Sequence, residues 1–428
     1  MYQRLLVFIC KVLIKLLRLL GKNGSALPGL IIERVKPDFL ETSLALVQKK
    51  IVLVTGTNGK TTTTKMLVAA LRGTGARVVT NATGSNMTRG LIAALIEDMT
   101  YFGSLKKTDW FVFEMDEAYA PIFTTNISPK VVVGLNVLRD QLDRYGEIDK
   151  TAKLIEAAAS KADLFIYSQL DPLLGSSAKN LSKQGIKVSS FGISGTLSSH
   201  VENEQTLVGE KIAVHKTDSD VVLTSATKVG DMQQLKLDAK GEQYECVIPV
   251  EGFHNALNAT AVAACLSVMA HSEIANGLKA LARMPIPFGR GEKLHFNGKD
   301  ITVALVKNPS GFMSNLETFV KHSHPEAVLF VVNDRLADGR DVSWLWDVEF
   351  TPMVSKKTTL FTSGIRGYDM ALRLKQDGFD VNSTTNITVA IQNLMKSDYS
   401  KIVIIPTYTA LFEVRMALSK YGKVPRIW

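Results

Sequence analysis

Short apolar runs alternate along most of this chain with longer amphipathic stretches. The runs KIVLVT at 50–55 and WFVFE at 110–114 have the length and β-branched content of buried strands. Between such runs, apolar residues recur three and four positions apart, as from Thr63 to Leu71, which is typical of helices. Further strands are predicted at 78–80, 131–135, 164–167, 328–332, 359–362 and 402–405. This alternation predicts an α/β fold with mainly parallel sheets.

One region departs from the alternation and divides the chain. Residues from about 186 to 250 are rich in Ser, Thr, Gly and Val with short alternating runs, which predicts a β-rich insertion. The α/β pattern returns near residue 300. The predicted organisation is an N-terminal helix and loop (1–45), a central domain carrying the insertion (46–298) and a smaller C-terminal α/β domain (299–428).

The N-terminal helix has an unusual pattern. Residues 5–20 are very apolar, but basic residues interrupt them, and GKNGSALPG at 21–29 predicts a loop. The spacing of the basic residues places them on one helical face: Arg4, Lys11, Lys15, Arg18 and Lys22. Two interpretations stay open, a helix packed on the protein body and a helix of residues 1–22 lying on a membrane surface. The interrupting charges argue against a membrane span or a signal peptide.

Composition narrows the class of protein. Of the 428 residues, 46% are hydrophobic and 21% charged, which is typical of a globular protein with more than one domain. The net charge is +9, but residues 1–36 account for +6 of it, so the remainder does not resemble a nucleic-acid binder. The three cysteines form no CxxC pair, which favours a reducing, cytoplasmic setting and excludes a disulfide framework.

The strongest chemical signal is GTNGKTT at 56–62, directly after a predicted strand. Backbone N–H groups of such a loop bind phosphate oxygens at a helix N-terminus, and Lys60 can reach the β- and γ-phosphates. A hydroxyl of Thr61 or Thr62 can ligate Mg²⁺. Val54 stands where the general phosphate-loop pattern has glycine, so the loop is a variant. ATP and Mg²⁺ are therefore the predicted cofactors, with the nucleotide held by Gly56, Thr57, Asn58, Gly59, Lys60, Thr61 and Thr62.

The loop and four later segments together resemble the Mur ligase family. In order, these are Glu114 in FVFEMDE, NVLRDQLDRYG at 136–146, GFHNALN at 252–258 and GRGE at 289–292. The resemblance implies that Glu114 binds Mg²⁺ with Thr61, that Asn255 or Asn258 contacts adenine and that Arg290 contacts the nucleotide. It also implies a carbon–nitrogen ligase that activates a carboxylate as an acyl phosphate, with Lys60 and Glu114 as catalytic residues.

Departures from the family pattern favour one branch of it. Gln141 replaces a histidine found in many members, VKNP at 306–309 replaces an Asp-Tyr-Ala-His-type segment, and few residues precede the phosphate loop. The chain resembles instead the MurT branch, the synthetase subunit of lipid II isoglutaminyl synthase. The segments that carry this are at 21–29, 146–149, 307–311, 333–347 and 405–411. The branch implies peptidoglycan synthesis, by amidation of the α-carboxyl of D-Glu in the lipid II stem peptide.

The same resemblance implies a partner chain. In this branch a GatD-type glutaminase forms a heterodimer with the ligase and supplies ammonia, using its own Cys and His. The resemblance implies that Asp341 is the third member of a Cys-His-Asp triad shared with this partner. Asp338 and Asp347 are nearby alternatives for the same role. None of the cysteines here follows a sharp glycine-rich turn, which also predicts that ammonia comes from another polypeptide.

Zinc is not predicted, although many members of the branch have a four-cysteine zinc ribbon in the central domain. The matching stretch, about 186–245, has no cysteine, and His200 and His215 stand alone. Two alternative functions remain. One is a stand-alone amino-acid ligase of the folylpolyglutamate or muramyl-peptide type. The other is a non-catalytic nucleotide-binding partner or scaffold with a membrane-surface helix. The predicted location of the protein is the cytoplasm, with a peripheral position at the inner face of the membrane.

Overall fold

Strands and helices alternate as the sequence pattern predicts, and the strands form two sheets. The computed structural model describes residues 2–19, 26–81, 87–138, 148–197, 219–285 and 289–425. The strands of the first sheet are β1 (Ile51–Thr55), β2 (Val78–Thr80), β3 (Trp110–Glu114), β4 (Val131–Gly134), β5 (Leu164–Ser168), β6 (Lys187–Ile193), β7 (Val221–Val229), β8 (Met232–Ala239) and β9 (Glu242–Ile248). Those of the second are β10 (Arg290–Phe296), β11 (Lys299–Ala304), β12 (Ala327–Val331), β13 (Thr359–Ser363), β14 (Val381–Ser383) and β15 (Lys401–Pro406).

The first sheet has the order β2-β3-β1-β4-β5-β6-β7-β8-β9. Its strands run parallel from β2 to β7, and β7, β8 and β9 pair antiparallel. The predicted β-rich insertion is therefore not a separate sheet, because its strands continue the edge of the central one. Residues 198–218 of the insertion, with His200 and His215, lie outside the described residues.

The second sheet has the order β10-β11-β15-β12-β13-β14. All pairs are parallel except β10 with β11. Because Arg290–Phe296 pairs here, this sheet begins before the predicted boundary at residues 298 and 299. The α/β fold predicted from the sequence, with a large parallel sheet and a smaller second one, is confirmed.

The helices differ from the prediction mainly near the N-terminus. The predicted loop at 21–29 is partly helical, since α2 begins at Ala26; proline is tolerated in a first helical turn, where its missing N–H costs nothing. The helices are α1 (Tyr2–Leu19), α2 (Ala26–Val35), α3 (Phe39–Leu44), α4 (Lys60–Gly73), α5 (Thr88–Asp98), α6 (Ala120–Thr124), α7 (Ile148–Ala159), α8 (Pro172–Lys183), α9 (Phe253–Met269), α10 (Ile274–Ala280), α11 (Pro309–Leu316), α12 (Gly367–Gln376), α13 (Ile387–Lys396) and α14 (Tyr408–Leu418).

Helices cover both faces of the parallel part of the first sheet. Residues of α4, α9 and α10 share one apolar core with β1, while α1, α5, α7 and α8 share the core on the opposite face. Two further cores flank the second sheet. Parallel strands covered on both faces place their carboxyl ends together at one edge, where ligands bind in such sheets.

Helix α1 packs on the body through one apolar face. Val7 and Cys10 are fully buried, and α1 contacts α2 and α5. This supports the first interpretation of the N-terminal pattern, a helix packed on the protein. None of the helices described is both long and apolar enough to cross a membrane.

Candidate active site

The phosphate loop joins β1 to α4 and needs glycine at two positions. Gly56 has φ +124° and Gly59 has φ +89°, in the region that side-chain-bearing residues avoid. A Cβ on Gly56 would lie 2.9 Å from the carbonyl oxygen of Asn136, and one on Gly59 would lie 2.4 Å from Oδ1 of Asn258. The loop is therefore pressed against two neighbouring segments, and it ends at the N-terminus of α4.

Asn136, just after β4, holds the loop from the side. Its Oδ1 accepts from the N–H of Asn58 at 2.8 Å, and its Nδ2 donates to the carbonyl of Asn58 at 3.1 Å. Its own carbonyl accepts from the N–H of Thr57 at 3.0 Å. These bonds fix the loop before any phosphate binds. Asn136 begins the segment NVLRDQLDRYG, but no role was predicted for it.

Lys60 is folded back over the loop. Its Nζ donates to the carbonyls of Gly56 at 2.5 Å and Thr57 at 3.1 Å, and it forms an ion pair with Glu117 at 3.2 Å. Both side chains of the pair are largely buried, at 12% and 6% exposure. An ammonium group has three donors, so to reach a phosphate Lys60 must exchange at least one of these partners. Glu117 is thus a site residue that the sequence analysis missed.

Glu114 lies at the carboxyl end of β3, beside the loop. The hydroxyl of Thr61 donates to its Oε1 at 3.0 Å. Asn81 anchors this strand end, since it exchanges two hydrogen bonds with the backbone of Glu114 at 2.8 and 2.9 Å. Burial raises the pKa of Glu114, while Lys60 and the Thr61 hydroxyl oppose the rise.

The Glu114 carboxylate and the Thr61 hydroxyl fit a magnesium ion, because both are hard oxygen donors beside the phosphate loop. Among the residues that the structure describes, no group of three His, Cys, Asp or Glu side chains converges on one point. The two oxygen donors of Glu114 and Thr61 suit an ion that keeps several waters and takes further ligands from phosphates.

A cavity of about 420 Å³ opens beside the loop, large enough for a small-molecule ligand. Loop residues Asn58, Gly59 and Thr62 line it together with Asn255, Asn258 and Arg290. Asn258 donates to Oδ1 of Asn255 at 3.3 Å. Three of the predicted loop residues and those from α9 and β10 thus face one space, while Gly56, Thr57, Lys60 and Thr61 are not part of its lining.

His254 lines the same cavity. Its Nδ1 lies 3.0 Å from the hydroxyl of Ser314 on α11. Burial, helped by the charge of Arg290, lowers the pKa of His254 to about 4, so the ring is neutral at physiological pH.

The second sheet contacts the phosphate loop directly. Asn58 and Asn308 exchange two side-chain hydrogen bonds, at 3.2 and 3.0 Å, across 250 positions of sequence. Oδ1 of Asn308 also accepts from the N–H of Gly311 at 2.9 Å and so caps α11. This reciprocal amide pair was not predicted, although Asn308 falls in the segment 307–311 that resembles the MurT branch.

A second group of polar residues lies at the carboxyl end of the second sheet, after β12. Asp338 is buried there and accepts from the N–H of Thr409 at 2.7 Å and from the N–H of Arg335 at 3.2 Å. Asp341 is half-buried and accepts from the N–H of Ser343 at 2.8 Å, and bonds from Ser343 lower its pKa. Asp347 is exposed. The three acids are therefore not equivalent, because Asp338 holds the loop together.

The cysteines are poor nucleophiles. Cys10, Cys246 and Cys265 are all buried. Burial raises the pKa of Cys246 and of Cys265 to about 12, and it raises the pKa of Cys10 as well. At neutral pH these thiols stay protonated, whereas the thiolate is the reactive form.

Family comparisons agree with this architecture. Residues 54–266 match the family described as Mur ligase middle domain, and residues 305–411 match MurT ligase C-terminal. The chain is 28% identical over 424 residues to a lipid II isoglutaminyl synthase (glutamine-hydrolyzing) subunit MurT of Streptococcus pneumoniae, covering 93% of each chain. It is 27% identical to the subunit of the same name from Staphylococcus aureus (strain COL), covering 96% of each.

Solved structures share the fold at lower identity. A crystal structure of MurF from Acinetobacter baumannii matches with a TM-score of 0.70 at 15% identity, over 92% of this chain and 80% of that one. Folylpolyglutamate synthase of Mycobacterium tuberculosis matches with a TM-score of 0.62 at 17% identity, over 94% and 99%. At such identities the likeness shows a common architecture.

Proposed function

Because this chain belongs to the Mur ligase family, has a MurT-type C-terminal region and is an ATP-dependent ligase, we propose that it is the synthetase subunit of a glutamine-dependent amidotransferase. Its substrate would be the α-carboxyl of D-Glu in the lipid II stem peptide, which it converts to D-isoglutamine. The observation that carries the proposal is a glycine loop with Lys60, Thr61 and Glu114 beside a cavity, together with an accessible acid on a second loop and three buried, protonated cysteines.

The first step transfers phosphate to the substrate. A carboxylate oxygen attacks the γ-phosphorus of ATP, and the bond from this phosphorus to the bridging oxygen breaks. The products are ADP and the acyl phosphate. Lys60, released from Glu117, places its ammonium on the transferring group, and the N–H groups of the loop hold the neighbouring phosphates. Asn258 and Arg290 hold the rest of the nucleotide in the cavity.

A magnesium ion would be held by Glu114 and the Thr61 hydroxyl. When bound, it neutralises charge on the phosphate oxygens. Asn81 keeps the end of β3 in place, so that Glu114 is positioned before substrate binds.

The second step forms the amide. Ammonia attacks the acyl carbon and phosphate leaves, so one carbon–nitrogen bond replaces the carbon–oxygen bond, and the proton that nitrogen loses passes to the phosphate. The source of ammonia is a partner glutaminase of the GatD type, since the cysteines of this chain are buried and protonated. The partner would contribute the nucleophile and a histidine, and Asp341 would orient that histidine.

The surroundings of Asp341 favour it over its rivals. Its carboxylate is partly accessible and, with its lowered pKa, remains ionised at neutral pH, as a histidine-orienting group must be. Asp338 is committed to Thr409 and Arg335. Large apolar side chains on the same end of the sheet are exposed, among them Leu336 at 84% and Tyr368 at 62%, as expected of a surface that a partner covers.

The location follows from the proposed substrate, which is anchored in a lipid bilayer. We place the enzyme in the cytoplasm at the inner face of the membrane, with residues 1–22 near the lipid surface. A stand-alone amino-acid ligase remains the main alternative, and a non-catalytic nucleotide-binding partner is the other.

The test is reconstitution. The chain, a partner glutaminase, lipid II, ATP and glutamine are mixed, and the stem peptide is examined by mass spectrometry for amidation. We expect amidation with glutamine only when the partner is present, and with ammonium chloride in its absence. Amino-acid-stimulated ATP turnover without a partner or ammonia would replace the proposal by the stand-alone ligase. Failure of amidation with partner and substrate both shown competent would overturn it.

A further inference from the structure

Helix α1 has two apolar faces, and only one of them is covered. Val7, Cys10 and Ile14 are buried against the body. A second row of large apolar side chains, each between 38% and 58% exposed, runs along the other side: Leu5, Phe8, Ile9, Val12 and Leu16. Their spacing keeps them within about 100° of the helix circumference, so they form one continuous stripe.

The loop after α5 extends this stripe. The Tyr101 ring lies 6.1 Å from the ring of Phe8, and a Cβ on Gly103 would lie 3.4 Å from Cα of Arg4. Phe102, between these two contacts, is 75% exposed. Large exposed aromatic residues of this kind are typical of protein surfaces that enter the boundary between lipid headgroups and acyl chains.

Cations border the stripe. Arg4, Lys11 and Lys15 follow one another along the adjacent side of α1, and Lys106 and Lys107 are exposed just after the loop. Both lysines of α1 place Nζ 5.4 Å from the centre of the Tyr101 ring.

The acids near this surface do not cancel its charge. Glu97 and Asp98 lie at the end of α5, close to Lys11. Asp98 is already paired with Arg77, and Glu97 adds one negative charge against the five cations Arg4, Lys11, Lys15, Lys106 and Lys107. The surface is therefore apolar at its centre and basic at its edge.

We propose that the exposed stripe of α1 and Phe102 form a single docking surface that inserts into the headgroup region of an anionic lipid membrane. The helix lies lengthwise on the body, so its free face can lie flat in the plane of a bilayer, as interfacial helices do. The basic border matches the negative charge of such a surface. A second copy of the chain fits less well, because a symmetric contact through this face would bring the two basic borders close together.

Substitutions on the exposed face test this better than removal of the helix, since deletion of α1 would uncover Val7, Cys10 and Ile14. The full-length chain is sedimented with vesicles of phosphatidylglycerol and phosphatidylcholine, and with vesicles of phosphatidylcholine alone. The variants are Ile9→Glu on the helix and Phe102→Ser on the loop. Met416→Glu, on the exposed side of α14, is the matched control.

Wild-type protein should bind the anionic vesicles, and Ile9→Glu should lower the partition coefficient about tenfold or more. Phe102→Ser should lower it by a smaller factor, and Met416→Glu should leave it unchanged. Replacing Arg4 and Lys15 by glutamine should weaken binding to anionic vesicles about fivefold per charge and leave binding to phosphatidylcholine unchanged.

The proposal is overturned if wild-type protein stays in the supernatant, or if Ile9→Glu, folded by its thermal transition, binds as wild type does. Light scattering tests the alternative occupant, a second copy of the chain. If the wild-type protein is a dimer that Ile9→Glu converts to a monomer, and vesicles are not bound, the face is assigned to a second copy. The assay contains no ATP, glutamine or partner, so its result is independent of the proposed ligase function.

Discussion

At the carboxyl end of the first sheet, the polar side chains are paired with one another; at the carboxyl end of the second, some face outward. Lys60 is held by Glu117 and two carbonyls, and Glu114 by the Thr61 hydroxyl. In the second sheet, Asp341 is half-exposed and Leu336 projects into solvent. Both ends are formed by parallel strands.

The contrast suggests how the work is divided between chains. A site that activates phosphate gains from enclosure, because charges act more strongly away from water. A site that orients a residue of another protein must instead stay accessible until that protein arrives. We therefore expect substitutions in the first sheet to impair every reaction of the enzyme, and substitutions at Asp341 to impair only the glutamine-driven one.

The largest expected effect is that of Asp341→Asn. The asparagine keeps an acceptor for the N–H of Ser343 but loses the charge, so glutamine-driven amidation with the partner should fall about 10³- to 10⁴-fold. Amidation driven by ammonium chloride should be unchanged, as measured by product formation under both conditions. Asp347→Asn is the control. If it, rather than Asp341→Asn, shows the selective loss, the triad role belongs to Asp347.

Next comes Lys60→Ala, which removes the ammonium group expected to act on the transferring phosphoryl group. ADP release should fall about 10²- to 10³-fold whether glutamine or ammonium chloride is the nitrogen source. Lys153→Ala, an exposed lysine on α7, serves as the matched control. A Lys60→Ala enzyme that keeps more than about a tenth of its ADP release would contradict the phosphate-site assignment.

Lowering the pH should reduce the free energy of unfolding through His254, a residue of the first region. His254 has a pKa of about 4 in the folded chain, against about 6.5 when unfolded, because burial and Arg290 disfavour its charged form. Between these values the unfolded chain binds a proton that the folded chain refuses, so stability is complete above about pH 6.5 and falls as the pH drops towards 4. The loss should approach about 3 kcal/mol.

Urea unfolding at about pH 7 and about pH 4.5 measures this effect, and His254→Gln should remove most of the difference. His322→Gln, at an exposed position, should not. A His254→Gln variant with the acid sensitivity of wild type would show that the histidine is not the group responsible.

The smallest effect is expected for Glu117→Gln. The substitution weakens the ion pair that holds Lys60 in the absence of ATP. A hydrogen bond to a neutral partner contributes about 1 kcal/mol less free energy than one to a charged partner. The KM for ATP should therefore fall about fivefold with little change in kcat. A fall in kcat instead would mean that Glu117 acts in the chemistry itself.

The sequence predicted local features well and distant pairings poorly. The apolar runs at 51–55 and 110–114 are strands as predicted, since burial on both faces leaves an unmistakable pattern. Proline and glycine at 28 and 29 suggested a loop, yet α2 already begins at Ala26, because a first helical turn accepts proline.

Pairings across long distances had no local signal. Nothing in the alternation of 221–248 tells which sheet those strands join, since alternation reports faces and not neighbours. Likewise, the residues that flank Asn58 in the sequence give no indication that its hydrogen-bond partner is Asn308. The residues proposed to bind phosphate were therefore predictable from a motif, whereas the residues that position them required the fold.

The Asn58–Asn308 pair has a thermodynamic consequence. Asn308 caps α11, and Phe312 of that helix packs against Trp344, 6.0 Å between ring centres, in the segment that holds Asp341. One short helix thus joins the phosphate loop to the loop proposed to meet the glutaminase. Linkage requires any such coupling to be reciprocal: if ATP alters this pair and tightens partner binding by some factor, the partner must tighten ATP binding by the same factor.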